Sequence, residues 1–352
     1  RGLAEFAGEL PVAALAEEII TPGVGQVRAL VTSAGNPVLS TPNGSVLAGA
    51  LKNLDFMLSI DIYRNETTRH ADLILPPASP LTQYHYDLIF NVFAVRRVAR
   101  LSRPMRLQTN SERADWEIFT ALAEAVSKGA GKPFNPPPDP LSMIAAGLAR
   151  GTSGLSVADL LAAPHGLDLG PLRPNMLSRL ETPSGAIECA PALMLAELER
   201  LGRQPAPDVS DASLRLIGRR EIRSNNSWMH NAQRLIKGKR RHQLWMHPSD
   251  MLARQVVDGG RVRVRSRVGA IEIEVSARDS LLPGVVCLPH GYGHHHTGVQ
   301  LSLASALPGE SYNDLSDPLA LDEASGNAAL NGLPVWVEAV AGLLRASNGE
   351  SS

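Results

Sequence analysis

The sequence predicts an α/β chain in which a parallel sheet with covering helices precedes a compact β-barrel with long loops. Between Gln26 and Pro76, short apolar runs alternate with a stretch of helical spacing, the pattern of strands joined by crossover helices. From Arg261 to Val275, apolar and charged residues alternate at period two, as in strands with one solvated face. A chain of 352 residues, 44% apolar and 20% charged, is long and apolar enough for two cored domains.

The elements follow in order. Val27 to Val31 is a buried run that ends in the turn formers Thr32 to Pro37. Val46, Leu47, Ala50, Leu51 and Leu54 recur at helical spacing behind Asn43 or Ser45 as a cap. Phe56 to Ile60 is a second strand, closed by Asp61. A polar segment rich in helix formers then leads to the third, Asp72 to Leu75, stopped by Pro76 and Pro77. In such sheets ligands lie beyond the carboxyl ends of the strands, and those ends hold Gly35, Asn36, Asp61 and Pro76.

A helix is expected at about 114–127, with Trp116, Phe119 and Leu122 on its apolar face. Lys132 to Pro140 is too rich in proline for a helix or central strand and reads as an extended connector. Residues 202–211 read as a surface loop. Arg261 to Arg265 and Ala270 to Val275 form a hairpin around Gly269, with arginine facing glutamate on the outer side. Val285 to Leu288 and Leu333 to Val340 supply further strands.

A formal net charge of −1 argues against binding nucleic acid through the overall field, so phosphate recognition must come from local arginines. The two cysteines, Cys189 and Cys287, have no CxxC spacing. They support neither a disulfide framework nor an iron–sulfur site and are expected in cores. No apolar run approaches the length of a membrane span. The first residue is arginine, which suggests that a segment upstream is missing.

The densest chemistry lies between Ile217 and Asn231, where Arg219, Arg220 and Arg223 accompany Ser224, Asn225, Asn226, Ser227, His230 and Asn231. Guanidinium groups take phosphate in forked geometry, and amides, hydroxyls and imidazole read ring nitrogens and oxygens. A polar loop capping a barrel has the same composition. Asp61 suits either a ribose or guanine acceptor or a helix cap. His294 and His296 could converge on one side of an extended segment, without an evident third ligand for a metal. The run Arg234 to Arg241 lacks interleaved aromatics and reads as a solvated or cofactor-phosphate face.

Taken together, these phrases resemble the C-terminal half of the molybdopterin oxidoreductases of the DMSO reductase family, which includes formate dehydrogenases and nitrate reductases. Those that carry the resemblance are Ala34 to Pro37, Ser59 to Thr67, Ala71 to Pro76, Thr182 to Glu188, Ile217 to Asn231, Pro289 to His294 and Ser325 to Gly332. Their order and spacing run across most of the chain.

The resemblance implies the later half of a Rossmann-like domain at 1–135, a Pro-rich and helical connector at 136–177, a double-psi β-barrel at 178–346 and a flexible tail at 347–352. It implies two copies of molybdopterin guanine dinucleotide bearing molybdenum or tungsten. Gly35, Asn36, Asp61, Glu66 and Thr67 would lie toward a guanosine end. Gly218, Arg219, Arg223, Asn225, Asn226, Ser227, His230, Asn231, His290, Gly291, Asn313 and Asn331 would line pterin or phosphate groups.

In the family the metal ligand and the 4Fe–4S cluster belong to an N-terminal half. No residue here is therefore assigned as catalytic or metal-binding. The partner is the remainder of the enzyme or a complementary chain, with a small redox substrate, and the expected location is cytoplasmic. Ala186 stands where the family commonly shows lysine. A structural subunit that keeps the fold without cofactor is the alternative, and a dense donor set that buries badly when unpaired argues against it.

Overall fold

The computed structural model describes residues 1–3, 5–203 and 213–340. Most of the loop expected at 202–211 and the tail expected at 347–352 lie outside the described residues. The chain divides into two compact units, one formed by 1–74 with 190–352 and the other by 75–189.

In the first unit, β1 (Ala29–Ser33), β2 (Phe56–Ile60) and β3 (Leu73–Leu75) form a three-stranded sheet in that order. β1 and β2 run parallel, with Ala29 opposite Phe56 and Ser33 opposite Ile60. Inside this pair, the buried hydroxyls of Thr32 and Ser59 bond each other at 2.8 Å. The connection from β1 to β2 carries two short helices, Pro37–Ser40 (α1) and Gly44–Ala50 (α2). Leu47, Ala50 and Leu51 bury their apolar face with Val38 and Met57. The expected cap Asn43 is present, but in a left-handed conformation (φ 53°) and without a side-chain cap bond.

Between β2 and β3 the sequence suggested a second helix, and the structure has a single 3₁₀ turn, Thr68–His70. Side chains here compete with helical hydrogen bonding. Asn65 Oδ1 accepts from the N–H groups of Thr67 and Thr68 at 2.9 and 3.0 Å, and Thr68 Oγ1 accepts from Asn65 N–H at 2.8 Å.

The same unit holds a closed six-stranded barrel of β8 (Leu214–Arg219), β9 (Leu244–Met246), β10 (Arg261–Arg265), β11 (Ala270–Ala277), β12 (Val285–Pro289) and β13 (Leu333–Ala339). Its order is β10-β11-β9-β12-β8-β13. The β8–β12 and β9–β11 pairs are parallel and the other four antiparallel. The hairpin has the expected register, with Arg261 opposite Glu274 and Arg263 opposite Glu272.

Alternation sends Val262, Val264, Ile271, Ile273 and Val275 inward, where they meet Leu216, Leu244, Met246, Val286 and Leu288 at 4% exposure or less. Each such side chain contributes about 1.5–3 kcal/mol on burial. This interior is what holds the barrel's loops in place. Cys287 is buried as expected, whereas Cys189 is exposed.

The second unit contains β4 (His85–Tyr86), β5 (Arg96–Ala99), β6 (Leu101–Ser102) and β7 (Leu167–Pro171), paired as β4–β6 and β5–β7. The helix expected at 114–127 is Asp115–Gly129 (α3), where Glu117 accepts from the Ala114 N–H at 2.7 Å. After the Pro-rich stretch, Asp139 caps Pro140–Arg150 (α4) through the N–H groups of Leu141 and Ser142 at 3.0 and 3.1 Å.

Candidate functional site

The residues after β8 and those after β12 meet in a cleft of about 400 Å³ within the first unit. Gly35, Asn36, Leu39 and Ser40 line it from the segment after β1. Gly218, Arg220, Asn226, Ser227, Trp228, His290 and Gly291 line it from the barrel, with Tyr312, Asn313, Leu330 and Asn331.

The loop from Glu221 to Ala232 is built on local bonds, Ser224 N–H to Glu221 O at 3.0 Å and Met229 N–H to Ser224 O at 3.0 Å. Asn225 and Asn226 are both left-handed (φ 41° and 62°), which asparagine tolerates better than most residues. Gly291 (φ 91°) lies directly beneath. A Cβ there would stand 2.2 Å from the Asn226 carbonyl oxygen, so the loop needs glycine at this position.

His290 places a buried Nε2 with no hydrogen-bond partner at this cleft. Burial holds its pKa below the ordinary imidazole value, and the nearby Arg220 charge adds to that. It is therefore a neutral ring able to exchange a hydrogen bond with a guest. Arg220 bonds the side-chain oxygen of the exposed Asn226, whose NH₂ can serve as a donor. Asn331 Oδ1 accepts from the Gly218 N–H at 2.9 Å.

A second pocket of about 390 Å³ lies against the same loop and is lined by Arg223, Ser224, His230, Arg241, His242 and Tyr292 among others. Burial brings His242 down to about 4, despite its bond to the Glu310 backbone. Tyr292 lies against the rings of His230 and His242 at a tilt, with centroids 4.2 and 4.4 Å away.

The remaining residues singled out by sequence bond within the protein. Arg219 donates to Glu221 at 3.0 Å and to the carbonyls of Cys287, Arg241 and Gln243 at 2.7–2.9 Å, and it lies over the Trp245 ring. Asn231 Oδ1 accepts from Leu303 and Ala304 N–H at the helix Ser302–Ala306. Asn313 is buried, donating to Leu39 O at 2.6 Å and accepting from Ser316 at 2.7 Å, although it also borders the cleft.

Glu66 and Thr67 are fully buried. Asp61 accepts from Tyr63 N–H and from Asn65, each at 3.0 Å, and burial raises its pKa against those bonds. Asn225 is exposed. Of the histidine run, His295 and His296 stack on each other, while His294 is buried against Glu66. No cluster of three or more metal-ligating side chains occurs among the described residues.

Sequence reasoning did not single out Leu39, Ser40, Trp228, Tyr312 and Leu330. Trp228 had a signal, a tryptophan inside the donor-rich stretch, and the structure leaves it 62% exposed. The others are ordinary apolar or small residues whose place depends on tertiary contact.

Comparison with known proteins agrees with this geometry. Residues 214–334, from β8 into β13, match the family model described as a molydopterin dinucleotide binding domain. The assimilatory nitrate reductase catalytic subunit of Bacillus subtilis is 33% identical over 105 residues, covering 30% of this chain and 14% of that protein. The dimethyl sulfoxide/trimethylamine N-oxide reductase of Rhodobacter capsulatus is 23% identical over 335 residues, covering 82% of this chain and 40% of that protein.

In fold, the acetylene hydratase of Pelobacter acetylenicus superposes with a TM-score of 0.71 at 17% identity, over 95% of this chain and 47% of its own. The chain thus spans less than half the length of each of these proteins. With a barrel that matches a molydopterin dinucleotide binding domain and relatives of this kind, the chain is similar to the molybdopterin oxidoreductases of the DMSO reductase family.

Proposed function

We propose that this chain is the C-terminal cofactor-binding portion of a molybdenum or tungsten oxidoreductase that carries two copies of molybdopterin guanine dinucleotide. In this reading the sheet is the later half of a Rossmann-like domain and the barrel is of double-psi type. The parallel β8–β12 and β9–β11 pairs within a closed barrel support the latter. The boundaries 1–135, 136–177 and 178–346 belong to the same proposal. When bound, the group supplies two-electron chemistry at its metal.

The carrying observation is the cleft itself, where an unpartnered buried His290 Nε2, the Asn226 carboxamide and the Arg220 guanidinium converge. That donor set fits a phosphate-bearing heterocycle. Arg220 would offset phosphate charge, while Asn226, Ser227 and His290 would orient the ring system. The metal ligand and the 4Fe–4S cluster would belong to an N-terminal part outside this chain. Leu88, Ile89, Phe90, Phe93 and Val95 in the second unit are each at least 70% exposed, a patch suited to cover by further polypeptide. A half-open site binds weakly, and the isolated chain should not turn over.

The test is Asn226→Ala and His290→Ala in the full-length protein, with metal and pterin content measured on folded material. Both are expected to fall several-fold. Full-length wild-type protein without metal or pterin would favour the reading of a structural subunit without cofactor, and contents unchanged in both variants would remove Asn226 and His290 from the site.

A further inference from the structure

A file of buried polar groups runs behind the loop from the sheet to the barrel. Glu66 and His294 are 0% and 1% exposed, and Glu66 Oε1 lies 2.9 Å from His294 Nδ1. His294 Nε2 lies 2.8 Å from His230 Nδ1. At the other end, Val38 N–H donates to Thr67 Oγ1 at 3.0 Å, and that hydroxyl donates to Asn36 Oδ1 at 2.7 Å. The Asn36 NH₂ is thereby turned to Glu66 Oε2, at 2.7 Å.

With the Val38 N–H on one lone pair of Thr67 Oγ1 and the hydroxyl proton on Asn36 Oδ1, the Asn36 carboxamide presents its NH₂ to Glu66. Glu66 is held as an acceptor. Burial alone would raise its pKa, but the bonds from His294 and Asn36 bring it below the ordinary carboxylate value. An ionised Glu66 accepts Nδ1–H from His294. Where His294 is neutral it offers only a lone pair at Nε2, which only an Nδ1–H on His230 can satisfy.

His230 is 5% exposed, and its Nε2 is buried without a hydrogen-bond partner at the wall of the second pocket. Burial, with the neighbouring His294 and His242, holds its pKa down to about 3, against weaker opposing effects of Glu66 and the Gly291 backbone.

We propose that Glu66 is a positioning residue which, acting through His294, holds His230 in the Nδ1–H tautomer, so that the pocket presents a bare Nε2 to a ligand's ring N–H or amino group. The ligand class is a fused heterocycle offering its donor edge. That this heterocycle is the pterin dinucleotide rests on the function proposed above, whereas the tautomer does not.

The test is nitrogen NMR of the full chain labelled with ¹⁵N-histidine, without cofactor, at about pH 8, above the ordinary imidazole range. The His230 signals are assigned by their loss in His230→Asn. The wild type should show a pyridine-type Nε2 and a pyrrole-type Nδ1. In Glu66→Gln the side chain can donate as well as accept, and the Nε2 signal should move wholly or partly to the pyrrole type.

A pyrrole-type Nε2 in the wild type, its proton turned toward the Gly291 carbonyl, would overturn the proposal, as would an Nε2 signal unmoved in folded Glu66→Gln. If that variant does not fold, the wild-type spectrum alone decides. Loss of cofactor binding with the tautomer intact would instead count against the proposed function.

Discussion

Arg219 and Arg220 are adjacent, equally charged and equally plausible as phosphate ligands from sequence, yet they have opposite fates. Successive side chains at a strand point to opposite sides. Arg219, the last residue of β8, turns to three carbonyls, Glu221 and the Trp245 ring, while Arg220 reaches the cleft. The donor-rich stretch was legible, but which arginine reaches the cleft was not, because strand phase at its end depends on the barrel register. Arg219→Ala leaves three carbonyls without their donor and should lower stability by about 3 kcal/mol or more. Arg219→Lys should rescue little, since an ammonium lacks the planar fork. Denaturant midpoints of the two variants check this, and a near-native Arg219→Ala would contradict the bracing role.

At the scale of elements, pattern was a good guide wherever burial imposes a period. The β10–β11 hairpin, its Arg–Glu register, β2 and α3 all appear close to where periodicity put them. The segment between β2 and β3 was misread because Asn65 and Thr68 side chains take the bonds a helix needs. The Glu66–His294–His230 file was invisible in sequence, since its members lie 228 and 64 residues apart.

The cleft loop depends on its seat at Gly291. Gly291→Ala combines a left-handed backbone with a Cβ 2.2 Å from the Asn226 carbonyl. It should displace the loop, seen as faster hydrogen exchange over 224–231 and lower pterin content. Exchange as slow as in the wild type would show that the close approach is not required.

Across the molecule, buried and half-buried histidines make stability depend on pH. His70 and His242 are held down to about 4 and His230 to about 3, in each case chiefly by burial. Unfolded, each returns to about 6.5 and binds more protons than the native state. Their stabilising contribution is present above that value and is lost as pH falls from about 6.5 toward 4. Denaturant midpoints should fall between about pH 7.5 and about pH 5. His242→Gln, which keeps an acceptor for the Glu310 N–H, should flatten part of that slope. A slope unchanged by the substitution would remove His242 from the explanation.

The central claim is that this chain grips the guanine-nucleotide-bearing tails of a metal-carrying pterin. The most direct measurement is the guanine nucleotide released by acid hydrolysis from purified full-length protein, set against its molybdenum or tungsten content. The account predicts two nucleotides released for each metal atom. A folded protein that releases none would contradict it.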